Sequence, residues 1–377
     1  MANDAIVLIN PKTFKPAWNA VRGIRPSKTT LDMLTYAHLE VAESGLCTLT
    51  CTDMDIEGAA KFQASASAPQ AMLLPAPVCD YMAGFTDGEI KLRLDADTFR
   101  VHASQGRSRT HMATLEARDF PSLQSAETTF CFEFLPGELL PAMETALTAT
   151  STDEAHYYLQ AVVFEIEGNA VNVLATDRHR LHITNLDLDG DPPETSVQIL
   201  MHRDHVRAAL RAFSNESTQT LTLKGHERQV TLTNGVFSIT GKQIDATYFD
   251  WRRVIPEGHT EGRLKLETGS LASIAARMKH LRGEGDIVLE IQAEKGALTL
   301  RGKRSLRGDD DTIEDVIDAS DSAKGHGFFA LDYFADALGA GLSDNAMMDI
   351  TAPHVTAMKI EDPDRGKTIV IMQRRGV

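Results

Sequence analysis

The sequence predicts an α+β protein assembled from three copies of one unit, each with two short amphipathic helices packed on antiparallel sheet. Three observations predict it. A strand–turn–strand pattern recurs at equal intervals, a helical segment with matching offset precedes it, and turn residues cluster at two junctions.

The hairpins come first. Leu39-Glu40-Val41 leads to Leu46-Cys47-Thr48-Leu49, Phe164-Glu165-Ile166 to Val171-Asn172-Val173-Leu174, and Leu289-Glu290-Ile291 to Leu298-Thr299-Leu300. Each alternates apolar and polar residues around a polar turn, the signature of a half-buried antiparallel pair. Glu40, Glu165 and Glu290 are equally spaced in the chain. A period this long signals repeated domains, because solenoid repeats span only roughly 20–50 residues.

The helices follow from spacing of three and four. Phe14, Ala17, Trp18 and Val21 form one stripe, Leu139, Ala142, Met143 and Ala146 a second, and Leu271, Ile274, Ala275 and Met278 a third. Pro16 and Pro141 share an offset and are expected early in their helices, where proline is tolerated. Second helices are expected near Val78–Phe85, His202–Phe213 and Leu331–Leu338, with about eight strands per copy. Turn residues near Phe120-Pro121-Ser122 and Val254-Ile255-Pro256 divide the chain into 1–127, 128–257 and 258–377.

Composition excludes several classes. With 42% hydrophobic and 24% charged residues the chain can bury several cores, so disorder is excluded. Lacking an apolar run of membrane length, and with Ile6–Ile9 lacking the flanks of a signal peptide, it is expected to be cytoplasmic. The four cysteines suit a reducing compartment, Cys47 and Cys51 as buried structural thiols rather than a metal pair.

Net charge is −15, yet positive charge is concentrated. Asn10–Lys28 holds Lys12, Lys15, Arg22, Arg25 and Lys28 without an acid, and Ser270–Arg282 holds Arg277, Lys279 and Arg282. Arg203, Arg207 and Arg211 outweigh Asp204. Basic helices at repeated positions in an acidic chain fit a phosphate-facing surface and a repelling exterior. The acidic run Asp309-Asp310-Asp311 with Glu314 and Asp315 fits that exterior, or a solvated loop.

Catalysis finds little support. Asp177, His179 and His182 invite a hydrolase reading, but on a strand the third would face away from the first two. His202 and His205 lie one helical turn apart without further ligands. The expectation is no catalytic residue, no metal and no cofactor.

Several stretches carry a family resemblance: Tyr157-Tyr158-Leu159, Ala175-Thr176-Asp177-Arg178-His179-Arg180-Leu181, Gly106-Arg107-Ser108-Arg109, Asp119-Phe120-Pro121 and Asp250-Trp251-Arg252-Arg253-Val254. In this order and spacing the chain resembles, over nearly its whole length, the bacterial DNA polymerase III beta subunit (sliding clamp) family. The resemblance implies three repeated clamp domains and a head-to-tail dimeric ring: a homodimer that encircles duplex DNA without regard to sequence. It implies a non-catalytic processivity factor. Its partners would be the DNA polymerase III catalytic subunit, a clamp loader, and translesion polymerases and repair proteins bearing short clamp-binding peptides.

Carried over by position, the peptide groove would comprise Leu159, Thr176, His179, Arg180, Leu181, Phe249, Arg253, Val254, Tyr333, Val370, Ile371 and Met372. By residue type alone, Leu181 and Val254 read as ordinary core. DNA contacts are expected at Arg25, His156, Tyr157 and Arg203 from the resemblance, and at Arg277 and Arg282 from charge. Thr110 and Met112, with Lys279 and His280, fall on the implied dimer seam. Departures gather at the groove: Arg178 and Phe249 replace a usual small residue and proline, and Gln373-Arg374 follow Met372. They add bulk and charge there, which motivates the alternative of a specialised clamp paralogue serving a divergent polymerase.

Overall fold

Helix α1 (Pro11–Val21) begins ahead of its apolar stripe because Asn10 caps it, its side-chain oxygen accepting from Lys12 N at 2.9 Å. Pro11 takes the first helical position, where no N–H is needed. The computed structural model describes residues 5–123, 127–188, 190–213, 219–256, 263–281, 285–306, 309–319, 324–350 and 357–374. The other helices are α2 (Ala76–Ala83), α3 (Pro136–Thr148), α4 (Arg203–Ala212), α5 (Thr268–Met278) and α6 (Leu331–Leu338). None among the described residues is long and apolar enough to cross a membrane. The early starts of α1 and α3 correct one expectation: Pro16 and Pro141 lie inside their helices, past the first turn. Replacing Asn10 with Ala is expected to lower stability by about 1 kcal/mol, read from urea unfolding followed through Trp18.

Two compact units emerge, Met1–Leu140 with Met201–Gln243, and Pro141–Leu200 with Ile244–Val377. The first is built on a twelve-stranded sheet whose main path runs from Ser108–Ala113 at one end to Phe130–Phe134 at the other. Strand Ile56–Ala66 pairs with Phe237–Lys242, Gly58 opposite Ile239. That pairing places strands from the expected segments 1–127 and 128–257 in one sheet. Helix α1 packs on α2 and α4, burying Phe14, Ala17, Trp18 and Val21. The Trp18 indole N–H donates to Asp80 at 2.8 Å.

The second unit holds an eight-stranded and a four-stranded sheet. In the first, Arg180–Asp187 pairs with Lys367–Met372, Leu181 opposite Val370. The four-stranded sheet ends on Asp309–Asp318, so the acidic run is a strand rather than a loop. The expected hairpins form with their apolar residues in register: Leu39 faces Leu49, Phe164 faces Val173 and Ile291 faces Leu300. Two of the three recurrent glutamates anchor cations. Glu165 accepts from Trp251 at 2.6 Å and Arg252 at 2.7 Å. Partial burial pushes Glu290 up, but hydrogen bonds from Lys303, His326 and Arg301 outweigh it and hold its pKa at about 2.

Candidate peptide groove and basic surfaces

Strand alternation builds the floor of the groove. Leu181 and Val370, directly opposed, point to one face and join Leu159, Tyr248 and Trp251 in a buried cluster. Ile371, the next residue, joins the other core, with Phe334 and Met358. A two-residue side-chain period allows nothing else, so the expectation that Ile371 lines the groove is corrected.

Over this floor lies an apolar cavity of about 240 Å³ within the second unit. Leu159, Thr176, Arg180 and Leu181 line it together with Phe249, Val254, Val370 and Met372. Phe249 and Val254 leave 37% and 43% of their surface to solvent, so Val254 is rim rather than core. The 3₁₀ turn Trp251–Val254 carries that rim and is pinned through Trp251 to Glu165. Tyr158 also lines the cavity and was not among the expected wall residues, whereas Arg178 lines it as expected of a departure at the groove.

The segment Asp177-Arg178-His179 is a turn between strands, not a strand as the catalytic reading assumed. Asp177 accepts from the backbone N–H groups of His179 at 2.9 Å and Arg180 at 3.0 Å. This turn puts Arg178 at φ +78. Arg180 is nearly buried, paired with Asp177 at 3.0 Å and with Asp336, and lies 4.4 Å over the Tyr333 ring. His179 stacks on the same ring with centroids 6.3 Å apart. Tyr333 and His179 thus buttress Arg180 and do not line the cavity. Arg253 is exposed and paired with Asp250 at 3.0 Å, also away from the lining.

The residues expected to meet DNA have varied surroundings. Arg25 donates to the Thr35 carbonyl at 2.7 Å and lies over Trp18. Tyr157 is 54% exposed. His156 is held between Asp153 at 2.8 Å and Arg178 at 3.1 Å. Arg203 is half-buried at the start of α4, and burial lowers its pKa. Arg277 is paired with Asp315 at 2.7 Å, and Arg282 lies outside the described residues. In the first unit Lys12, Arg22 and Arg207 also pair with carboxylates. Such exposed pairs are weak, so phosphate can compete for these cations. Gly23 lets the Arg211 guanidinium come close to α1, where a β-carbon would lie 3.1 Å from its Nη1.

Among the described residues the catalytic alternative finds no constellation. His182 is fully buried, its Nδ1 at 3.1 Å from the Thr145 carbonyl and 3.0 Å from the Thr148 hydroxyl. His202 caps α4 and His205 is buried against the Ile239 carbonyl. No group of three metal-ligating side chains occurs among the described residues. Burial pushes the Cys47 and Cys51 thiols up to about 11 and about 12, as inert structural thiols require.

Solved structures share this architecture. A sliding clamp from Pseudomonas aeruginosa bound to griselimycin superposes with a TM-score of 0.90 at 21% identity, over 99% of this chain and 100% of that one. One from Bacillus subtilis gives 0.89 at 17%, over 100% of both chains. The fold is therefore the sliding-clamp fold. Family models for the DNA polymerase III beta subunit match residues 7–124 (N-terminal domain) and 137–250 (central domain), together more than half of the chain. The chain belongs to the DNA polymerase III beta subunit family. Among curated relatives, the beta sliding clamp of Salmonella typhimurium is 26% identical over 360 residues, covering 94% of this chain and 95% of its own length. That of Proteus mirabilis is 31% identical over 244 residues, 64% of this chain and 65% of the relative.

Proposed function

We propose that this chain is a sliding clamp, a non-catalytic subunit that closes around duplex DNA and tethers a polymerase through a short peptide held in its groove. The carrying observation is the convergence of eight expected wall residues, from segments far apart in sequence, on one apolar cavity with a solvent-exposed aromatic and aliphatic rim. A cavity of that kind anchors one or two apolar side chains of a peptide. The same groove would serve a clamp loader, translesion polymerases and repair proteins by turns.

The segments 1–127, 128–257 and 258–377 are read as the repeated domains. Among the described residues each holds two α-helices and eight strands. Closure by a second copy, head to tail, is supported by two sheet edges of opposite charge. Ser108–Ala113 ends one sheet and carries Arg109, next to Arg107 in the preceding turn, while Asp309–Asp318 ends another with Asp311, Glu314 and Asp318. An edge strand exposes unpaired backbone groups that a complementary strand satisfies. The basic helices then face the duplex through phosphate contacts alone, which permits sliding.

Loading onto nicked circular DNA by a matching loader tests the reading. A ring stays on circles through gel filtration and is lost once a nuclease linearises them. Equal loss from circles and linear molecules would exclude topological binding.

A further inference from the structure

A larger cavity, of about 680 Å³, opens on the first unit. Strand alternation forms its floor. Gly58 lies against Val21 of α1, so its neighbour Glu57 points to the opposite face of the sheet, the face that also carries His38 and Glu40. The segment after Ala113 crosses this face as a wall. The Thr114 hydroxyl donates to the Leu73 carbonyl, Phe120 stacks on His38 with centroids 5.2 Å apart, and the Leu123 N–H donates to Glu57 at 2.9 Å. Phe99 is 48% exposed and held at φ +48, its carbonyl accepting from Thr114 N at 2.9 Å. With Leu115 it gives the cavity an apolar middle.

The charge of this cavity is one-sided. Arg118 is paired with Glu116 at 3.2 Å and with Asp119 at 3.7 Å. Burial lowers the His38 pKa, so its imidazole is neutral at pH 7. Among the described residues Glu40 and Glu57 form no ion pair, and Lys61, in the same cross-strand row as Glu40, is outside the lining. Partial burial raises the Glu57 pKa against the Leu123 bond. The two carboxylates stand two strands and four residues apart, about 16 Å between Cα positions from strand spacing and rise.

We propose that this cavity binds a linear alkyl polyamine, one terminal ammonium on Glu40, another on Glu57, and the methylene chain between them on Phe99, Leu115 and Phe120. Two separated carboxylates with an apolar middle match a ligand whose charges are spaced by methylenes. An ammonium near an aromatic face gains from the ring quadrupole. Half-buried Glu57 gains more from a cation than a fully solvated carboxylate does, because its surroundings screen less. A metal ion or a monoamine reaches only one carboxylate at a time, whereas a long polyamine engages both, and its second contact is intramolecular.

Isothermal titration of the full chain with spermine, at low salt and neutral pH, is expected to show one saturable site per chain. Diaminododecane should bind about tenfold more tightly than ethylenediamine, which has the same charge but cannot span the two carboxylates. Glu40→Gln and Glu57→Gln should each weaken spermine about fivefold, the scale of one partly exposed ion pair. Glu227→Gln, which removes an exposed acid in a turn outside the cavity, should leave the affinity unchanged. Glutamine at position 57 keeps an acceptor for the Leu123 N–H, and circular dichroism melts establish that each variant is folded. Equal affinities for the two diamines, or equal losses in Glu227→Gln and Glu57→Gln, mean diffuse counterion binding and overturn the proposal. The absence of a saturable site overturns it as well.

Discussion

Replacing Trp251 with Ala is expected to destabilise the second unit by about 4 kcal/mol and to weaken peptide binding at least tenfold. Trp251 is 6% exposed, packs in the cluster beneath the groove, and donates its indole N–H to Glu165. Arg252 lies 4.3 Å over its ring and shares the same carboxylate. Truncation leaves a large void and an unpaired acceptor, and it releases the turn that carries Val254 beside Phe249. Trp251→Phe separates the two effects. It keeps most of the packing, loses the indole bond, and should cost about 1 kcal/mol. The measurement is urea unfolding by circular dichroism, with Trp18 reporting the first unit independently. If Trp251→Ala bound peptide as the wild type does, the rim would not depend on this anchor.

Acid should destabilise both units well before the carboxylates titrate. His205 in the first unit and His182 in the second are fully buried, and desolvation lowers each pKa from 6.5 to about 4. An unfolded histidine takes up a proton near its ordinary value, while the folded one resists until about pH 4. The stability from each is thus complete above pH 6.5 and lost as pH falls through this window, about 3 kcal/mol per histidine. Glu290, held at about 2, contributes stability that is complete above its ordinary 4.5 and is lost only as pH falls from there toward 2. Urea midpoints at pH 7.5, 6 and 5, followed by Trp18, should fall steeply in the wild type and less steeply in His205→Gln. Identical slopes would remove His205 from the explanation.

The element content was legible because its signals are local. Apolar spacing marked the stripes of α1, α3 and α5, and alternation marked the hairpins. Helix starts were less legible, since Asn10 and Pro11 extend α1 beyond its stripe. The groove was legible only by resemblance, because its walls come from four separate stretches that no local pattern connects. Even then, carry-over by position could not tell Val370 from Ile371, which a single strand step sends to opposite cores. Nor could it see that Tyr333 and His179 stack behind Arg180.

The sequence by itself determined the repeated two-helix, antiparallel-sheet plan and the clustering of basic residues on helices. Periodicity and charge are written along the chain, and each element needs only its neighbours to form. Tertiary structure alone decided that strands of neighbouring segments share sheets, Ile56–Ala66 with Phe237–Lys242 and Arg180–Asp187 with Lys367–Met372. It also decided which charges are already compensated. Arg180 and Arg178 are two residues apart and chemically identical, yet one is bound by two carboxylates and the other is exposed at the cavity mouth, hydrogen-bonded to His156. Compensation depends on distances between residues remote in sequence, such as Arg180 and Asp336, and those distances exist only once the chain has folded.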